Sequence, residues 1–140
     1  MPVFNSERYL KQAIESILNQ TFKNFEFIII NDGSSDSSDK IINSFNDTRI
    51  IYVNNETNRG IVAALNEGLS LSKGKYIARM DADDVANPDR LTLQHQFLIN
   101  NPAYKLCGTN AVAINNEGEN TGKIKRPNNS SKIKALQLFR

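Results

Sequence analysis

The sequence predicts an α/β protein with a mostly parallel sheet flanked by helices. Apolar runs of strand length alternate with helical repeats as far as Met80, and this alternation is typical of right-handed βαβ units. The run at residues 25–30 is rich in Ile and almost continuously apolar, as expected for a strand covered on both faces. With 140 residues, the chain is long enough to bury a core, either as one domain or as part of a larger one.

The first predicted helix begins after Asn5 and Ser6, two residue types that cap helix N-termini. Its apolar residues recur at the spacing of one helical face: Leu10, Ala13, Ile14, Ile17 and Leu18. Residues 1–4 are too few for a comfortable strand, so the first strand of the sheet is expected to be a stub. Its unpaired backbone groups would invite pairing with a second copy of the chain, which predicts a homo-oligomer.

The remaining elements follow from the same patterns. The later predicted strands cover residues 25–30, 49–53, 76–80, 104–108 and 111–115, with a hairpin turn at 116–118. The later predicted helices are marked by Ile41, Ile42 and Phe45, by a stripe from Ile61 to Leu69, by residues 89–99 and by residues 132–139. Asn87, followed by Pro88, supplies the cap of the helix at 89–99.

Charge is unevenly distributed along the chain. The 17 Lys and Arg outnumber the 15 Asp and Glu, yet no acidic residue follows Glu119, whereas six basic residues do. A solvated helix face is the favoured interpretation of this basic end, and peripheral contact with a membrane surface is the alternative. No nucleic-acid partner is predicted.

The number of cysteines and the length of the apolar runs predict where in the cell the protein is located. Cys107 is the one cysteine, which excludes an internal disulfide and a cysteine zinc cluster and fits a reducing environment. No apolar run approaches the ~20 residues of a membrane-spanning helix, and no basic and apolar leader follows Met1. A cytoplasmic location is therefore expected, with the inner face of the membrane as a further site.

The strongest functional signal is the acidic stretch that follows the predicted strand at 76–80. Open α/β sheets bind ligands at the carboxyl ends of their strands. In an extended backbone, Asp81 and Asp83 would point to the same side while Ala82 faces away. Two convergent carboxylates suit Mg²⁺ or Mn²⁺. A turn or a helix cap is the alternative role for such residues, but Asn87 already supplies the next cap.

Three further loops are expected at the same edge of the sheet, and each offers a group suited to a nucleotide. Phe4 offers an aromatic face for a base, Asp32 an acceptor for a ring N–H, and Arg59 a forked donor for phosphate. Each has a structural alternative, as a core residue, a turn residue and a solvated charge respectively. Together with Asp81 and Asp83, they predict a cleft that binds a nucleotide and a metal ion.

Four motifs at these positions resemble those of a known family. They are Met-Pro-Val-Phe-Asn at 1–5, Asn-Asp-Gly-Ser-Ser-Asp at 31–36, Asn-Arg-Gly at 58–60 and Met-Asp-Ala-Asp-Asp at 80–84. In this order they resemble the family 2 glycosyltransferases, whose GT-A fold has a Rossmann-like, mostly parallel sheet. Because the resemblance covers nearly the whole chain, residues 1–140 are expected to be the nucleotide-sugar-binding portion of such a domain.

The resemblance implies a nucleotide-sugar donor, usually a UDP-sugar, and transfer to a glycan or other hydroxyl acceptor with inversion at the anomeric carbon. It also implies roles for individual residues. The nucleotide-binding residues would be Pro2, Val3 and Phe4 along the uracil, Asp32 at its ring N–H, Arg59 by the base or diphosphate, Asp81 by the ribose and donor sugar, and Glu7, which matches a position that is often acidic. Asp83, with Asp81, would hold Mn²⁺ or Mg²⁺.

The sequence departs from the family pattern at both ends. An apolar strand usually precedes the Met-Pro-Val segment, and the catalytic base is usually an acidic residue well beyond the position of Arg140. The chain is therefore expected to be a donor-binding fragment, truncated at both ends, with no catalytic residue of its own.

Other classes of protein remain as alternatives. A nucleotidyltransferase-like sugar-phosphate enzyme would normally carry a glycine-rich, basic phosphate loop after the first strand, where this chain has Asn5-Ser6-Glu7. A haloacid-dehalogenase-like phosphotransferase would carry its nucleophile there. A non-catalytic binding module would show no metal-dependent binding of nucleotide.

Overall fold

The computed structural model describes residues 1–126 and divides the chain into two compact units, Met1–Gln96 and Phe97–Arg140. The helix expected at residues 132–139 lies outside the described residues. Within residues 1–126, no helix is long and apolar enough to cross a membrane.

The first unit is built on a three-stranded parallel sheet in the order β1 (Pro2–Val3), β2 (Phe27–Asp32) and β3 (Ile50–Asn55). Six residues of β2 pair with β3, but only Pro2 and Val3 pair with it from β1. The expected stub of a first strand is therefore confirmed. The parallel strands place their carboxyl ends at one edge of the sheet, where the polar residues were expected.

Four helices accompany the sheet: α1 (Glu7–Leu18), α2 (Ser38–Asn43), α3 (Ile61–Leu71) and α4 (Arg90–Asn100). The apolar face predicted for α1 is buried at Leu10, Ala13, Ile14 and Ile17. Leu10 and Ile14 join Ile29 of β2 in one core cluster, and each buried side chain of this size stabilises the fold by about 1.5–3 kcal/mol.

The central strand β2 is covered on both faces, as its continuous apolar run predicted. Ile29 and Ile30 are both fully buried, and successive side chains of a strand point to opposite faces. Ile29 packs in the cluster that contains α1, whereas Ile30 lies against Gly68 of α3. The two helices therefore cover opposite faces of the sheet.

The prediction of a strand at residues 76–80 was wrong, because the chain forms no strand there. Tyr76 and Ile77 are exposed, and only Met80 at the end of the segment is buried in the core. A strand needs a partner for its backbone groups. β1, which ends one side of the sheet, offers only two residues for pairing, one of which is a proline without an N–H.

The second unit contains an antiparallel hairpin of β4 (Ala111–Ile114) and β5 (Asn120–Ile124). The predicted strand at 111–115 and the turn at 116–118 are confirmed. Asn115 shapes the turn, because its side-chain oxygen accepts hydrogen bonds from the backbone N–H groups of Glu117 and Glu119. The strand predicted at 104–108 does not form, and β5 was not predicted, since it contains a single large apolar residue.

Candidate functional site

A cavity of about 710 Å³ lies at the carboxyl end of the sheet in the first unit. All four loops that the sequence placed at this edge contribute to it. Its wall is formed by Pro2, Val3, Phe4, Asn5, Ser6, Arg8, Tyr9, Asp32, Asn58, Ile61, Ala64, Arg79, Asp81, Ala82 and Asp83. Six of the eight predicted site residues are among these. The other two, Glu7 and Arg59, do not line the cavity.

Phe4 follows β1 directly and is 49% exposed on the cavity wall. The interpretation of Phe4 as a core residue is therefore wrong, and its ring is open to a ligand. The chain turns sharply after it, because Asn5 adopts a φ of 47°, a left-handed conformation that Asn tolerates. The side-chain oxygen of Asn5 accepts a hydrogen bond from Ser35 N at 2.8 Å, which fixes this turn against the loop after β2.

Asp32 ends β2 and is 3% exposed. Its carboxylate accepts hydrogen bonds from the backbone N–H groups of Arg59, at 3.1 Å to each oxygen, and Gly60, at 2.8 Å. Asn55 Nδ2 also donates to Asp32 Oδ1, at 3.5 Å. Three donor groups therefore share the roughly four lone-pair positions of the carboxylate, which leaves capacity for one bond from a ligand. Asp32 thus anchors the loop at 58–60 while it lines the cavity.

Gly33 lets this loop approach the end of β2. Its φ is 70°, and a Cβ at this position would lie 2.5 Å from the carbonyl carbon of Thr57 and 2.6 Å from Asn58 N. Neither the conformation nor the space accommodates a side chain. The glycine is therefore required for the contact between Asp32 and the N–H groups of residues 59 and 60.

Arg59 does not reach the cavity wall. Its guanidinium forms an ion pair with Glu67 of α3, which also accepts a hydrogen bond from Asn55 Nδ2 at 3.0 Å. The arginines that line the cavity are instead Arg8 and Arg79, which the sequence interpretation missed. Arg8 follows Glu7 in the first turn of α1. Its position in that turn was the one sequence signal for a place near the cavity.

The acidic stretch forms a turn and not the extended segment that was expected. Ala82 and Asp83 lie in the turn, and Asp84 N donates to the carbonyl oxygen of Asp81 at 3.4 Å. Ala82 is buried in the core and faces away, as predicted. Asp81 and Asp83 both line the cavity, and Asp81 Oδ1 accepts a hydrogen bond from Arg79 Nη2 at 2.6 Å.

The carboxylates of this turn repel one another. Burial raises the pKa of Asp84 above its ordinary value, and the negative charges of Asp83 and Asp81 raise it further. Among residues 1–126, no three His, Cys, Asp or Glu side chains are grouped so as to enclose a metal ion. The two cavity carboxylates fit a cation such as Mg²⁺, which typically takes one or two carboxylates and completes its shell with phosphate and water.

The turn is supported from behind by α1 and the start of α4. Gln20 is fully buried, and its Nε2 donates to Asn87 O at 2.7 Å while its Oε1 accepts from Leu91 N at 2.9 Å. Asn87 Oδ1 accepts a hydrogen bond from Asp89 N at 3.0 Å, so Asn87 stabilises the turn that leads into α4, but the helix itself begins only at Arg90. Asp81 and Asp83 are therefore free of any capping role. Nothing in the local sequence marked Gln20 as a structural link.

The start of α1 differs from the prediction. Ser6 occupies the N-cap position but makes no side-chain capping bond; its hydroxyl donates to Phe4 O at 3.1 Å. The carboxylate of Asp36 accepts from the N–H of Glu7 instead. Hydrogen bonds from Ser38 and Glu7 outweigh the opposing effect of burial and hold the pKa of Asp36 below its ordinary value.

The fold and the cavity define an α/β protein with a polar ligand site at the carboxyl end of its parallel strands. Residues 1–139 match the family model described as Glycosyl transferase family 2, so the chain belongs to this family. The resemblance seen in the sequence and the GT-A fold class are thereby confirmed.

Individual relatives agree with this assignment. An uncharacterised glycosyltransferase of Haemophilus influenzae is 40% identical over 141 aligned residues, which cover 99% of this chain and 55% of the relative. An uncharacterised glycosyltransferase of Methanocaldococcus jannaschii is 45% identical over 105 residues, which cover 72% of this chain and 36% of the relative. The chain therefore spans about half or less of the length of these relatives.

A solved structure of TarS from S. aureus, in complex with UDP, has the same fold. It is 27% identical in sequence and superimposes with a TM-score of 0.66, over 71% of this chain and 30% of the solved chain, which comprises TarS residues 1–349.

Proposed function

We propose that this chain is the donor-binding part of a glycosyltransferase that uses a UDP-sugar. One observation carries the proposal: Phe4, Asp32, Asp81 and Asp83, from separate stretches of the sequence, line a single cavity at the carboxyl end of the sheet. An aromatic face, a buried acceptor and two carboxylates are what a base, its ring N–H and a metal-bound diphosphate require. The UDP in the structure of the related TarS supports the choice of nucleotide.

The uracil is proposed to lie along Pro2, Val3 and Phe4, with its ring N–H donated to Asp32. Asp32 is buried, so a hydrogen bond to its charge is stronger than one at the surface. Asp81 is proposed to lie beside the ribose and the donor sugar. These groups line one continuous wall.

The diphosphate is proposed to contact Arg8 and Arg79, the arginines that line the cavity. Arg59 would have to leave Glu67 to take part. That ion pair is about half exposed on the arginine side, and exposed pairs contribute only about 0–1 kcal/mol. Arg59 can therefore join the site at small cost once a phosphate is present.

Asp83 and Asp81 are proposed to hold Mn²⁺ or Mg²⁺. The cation, when bound, would neutralise the charge that develops on the leaving diphosphate. Arg79 Nη2 donates a hydrogen bond to Asp81 Oδ1 at 2.6 Å, so Arg79 lies beside the carboxylates that would hold the cation. The proposed reaction is transfer of the sugar to a glycan or other hydroxyl acceptor with inversion, the acceptor proton being taken by a carboxylate outside this chain.

The proposal is tested by calorimetric titration with UDP, with and without Mn²⁺, on the parent chain and on Asp83→Asn. The parent is expected to bind UDP more tightly in Mn²⁺. Asp83→Asn should lose at least about tenfold of that affinity, which corresponds to about 1.4 kcal/mol, because it removes a charged ligand.

Asp84→Asn is the matched control for this substitution. It removes one negative charge from the same turn, but Asp84 is not among the residues that line the cavity. Its Mn²⁺-dependent affinity should stay close to that of the parent. Equal losses in both variants would show that charge alone matters and would refute Asp83 as a ligand, and a parent that binds no UDP would refute the proposed donor.

A further inference from the structure

We infer that Glu7 and Asp36 are positioning residues that fix the two walls of the base-binding end of the cavity without touching the nucleotide. The inference rests on the proposed function. It concerns the reciprocal cap, by which we mean the contacts that the side chains of Glu7 and Asp36 make with the backbone at the starts of α1 and α2.

The reciprocal cap joins two helix N-termini that lie side by side. Asp36 Oδ2 accepts a hydrogen bond from Glu7 N at 2.9 Å, and Asp36 Oδ1 accepts one from Ser38 N at 2.9 Å. In return, Glu7 Oε2 accepts a hydrogen bond from Ser37 N at 2.8 Å. The first N–H groups of a helix have no partner within it, so each carboxylate satisfies donors that would otherwise remain unpaired.

Further bonds tie the same two segments together. Ser6 N donates to Ser38 Oγ at 3.1 Å, and Asn5 N donates to Ser34 Oγ at 3.0 Å. Ser38 is fully buried, so its hydroxyl is held in place. Residues 5–7 and 34–38 therefore behave as one joined unit at the mouth of the cavity.

This unit determines where the cavity walls lie. Phe4 immediately precedes residues 5–7, and Asp32 with Gly33 immediately precedes residues 34–38. The sheet alone holds Phe4 weakly, because β1 pairs with β2 through two residues only. The pairing of β1 ends at Val3 and Asn31, so the reciprocal cap adds a second restraint, beyond the end of the strands, on the separation between the ring of Phe4 and the carboxylate of Asp32.

Neither carboxylate is placed to contact the ligand. Glu7 and Asp36 do not line the cavity, and both oxygens of Asp36 and Oε2 of Glu7 accept hydrogen bonds from backbone N–H groups. The N-terminus of α1 is also closed to an anion, since Asp36 already occupies its first N–H. The role assigned to Glu7 from the sequence, direct binding of nucleotide, is accordingly replaced by an indirect one.

The test compares the UDP affinity of variants that remove a capping side chain with that of variants that keep one of its oxygens. Glu7→Ala removes the acceptor for Ser37 N and is expected to weaken UDP binding by about tenfold, because the walls are no longer preorganised. Glu7→Gln keeps an oxygen at the same position and should bind UDP within about twofold of the parent. Asp36→Asn keeps only one oxygen for two donors, so it is expected to fall between them.

Glu15→Ala is the matched control, since Glu15 lies on the same helix and makes only an exposed contact with Lys11 at 4.0 Å. All affinities are measured at a temperature where circular dichroism shows each variant to be folded. Amide hydrogen exchange at Ser37 should accelerate in Glu7→Ala and not in Glu15→Ala.

Three results would overturn the inference. If folded Glu7→Ala binds UDP as the parent does, the reciprocal cap stabilises the helices but does not position the walls. If Glu7→Gln is as weak as Glu7→Ala, the negative charge of Glu7 acts on the ligand directly. If the parent itself binds no UDP, the proposed function fails and this inference fails with it. The first two results differ from this one because the parent still binds UDP, so they refute the inference alone.

Discussion

Gly33 combines two reasons for a glycine, a positive φ and a close approach of another backbone segment. Gly33→Ala would introduce both an unfavourable φ and a clash with Thr57 and Asn58, displacing the N–H groups that bind Asp32. We expect a loss of more than about 1–2 kcal/mol in the free energy of unfolding, together with weaker UDP binding. Urea unfolding and calorimetric titration measure the two losses.

Gly118→Ala is the control for strain alone. Gly118 also has a positive φ, of 81°, but a Cβ there would meet nothing within 4 Å. It should cost less stability and leave UDP affinity unchanged. If both alanine variants lose the same stability, contact between Gly33 and the loop at 57–58 is not important.

Tyr52 gives a prediction for alkaline pH. Its hydroxyl donates to Asp39 Oδ1 at 2.6 Å, and burial together with this bond raises the pKa of Tyr52 to about 12. Since the folded state holds the proton more tightly than the unfolded state, its contribution to stability is complete below pH ~10 and is lost as pH rises toward 12. Unfolding at pH 8 and pH 11 should show a smaller decline for Tyr52→Phe than for the parent. Identical declines would exclude this role, because the other tyrosines are common to both proteins.

The elements that the sequence predicted best are those governed by local physics. The apolar spacing of α1 and the turn that Asn87 forms before α4 each depend on residues a few positions apart. The buried face of α1 is confirmed, and Asn87 accepts a hydrogen bond from Asp89 N. The strand at 76–80 failed because strand formation depends on a partner elsewhere in the chain, and β1 is too short to serve. A pattern of apolar residues records burial but not pairing.

The candidate site shows the same division. Its place at the carboxyl end of the strands followed from the α/β topology, and Phe4, Asp32, Asp81 and Asp83 line the cavity. The positions of Arg59 and Glu7 could not be predicted, because their side chains pair with Glu67 and Ser37, which lie 8 and 30 residues away. The partner of a charged side chain depends on which residues the fold brings close to it, and the local sequence does not contain this information.

Gln20 tests how α1 supports the acidic turn. Gln20→Met preserves length and approximate volume but leaves Asn87 O and Leu91 N without their side-chain partners. Each buried unpaired group costs about 1–3 kcal/mol, so we expect a loss of roughly 2–4 kcal/mol in the free energy of unfolding. Chemical denaturation measures it. Gln12→Met, at an exposed position of α1, the helix that precedes Gln20, is the control and should change stability by less than about 0.5 kcal/mol.

At the level of the whole molecule, the described residues that line the cavity fall between Pro2 and Asp83. The H. influenzae relative is nearly twice as long as the matched region, since this chain covers 55% of it. The groups proposed to bind the donor are thus concentrated in the first 83 residues of the chain. If the proposed function holds, binding of the donor is expected to be separable from transfer of the sugar in this chain.

We expect the 140-residue chain, assayed alone, to bind a nucleotide sugar without transferring it. No acidic residue follows Glu119, and the one histidine, His95, packs against the rings of Phe22 and Tyr76 at 4.7 and 5.6 Å, as a packing residue and not a base. Loss of a general base typically costs about 10²–10⁴ in rate. Incubation with UDP-glucose, UDP-galactose, their N-acetyl forms, Mn²⁺ and a panel of sugar acceptors should release UDP no faster than incubation without acceptor. Acceptor-dependent turnover near the common enzyme scale of about 1 per second would place the base inside this segment and contradict the division between donor binding and transfer.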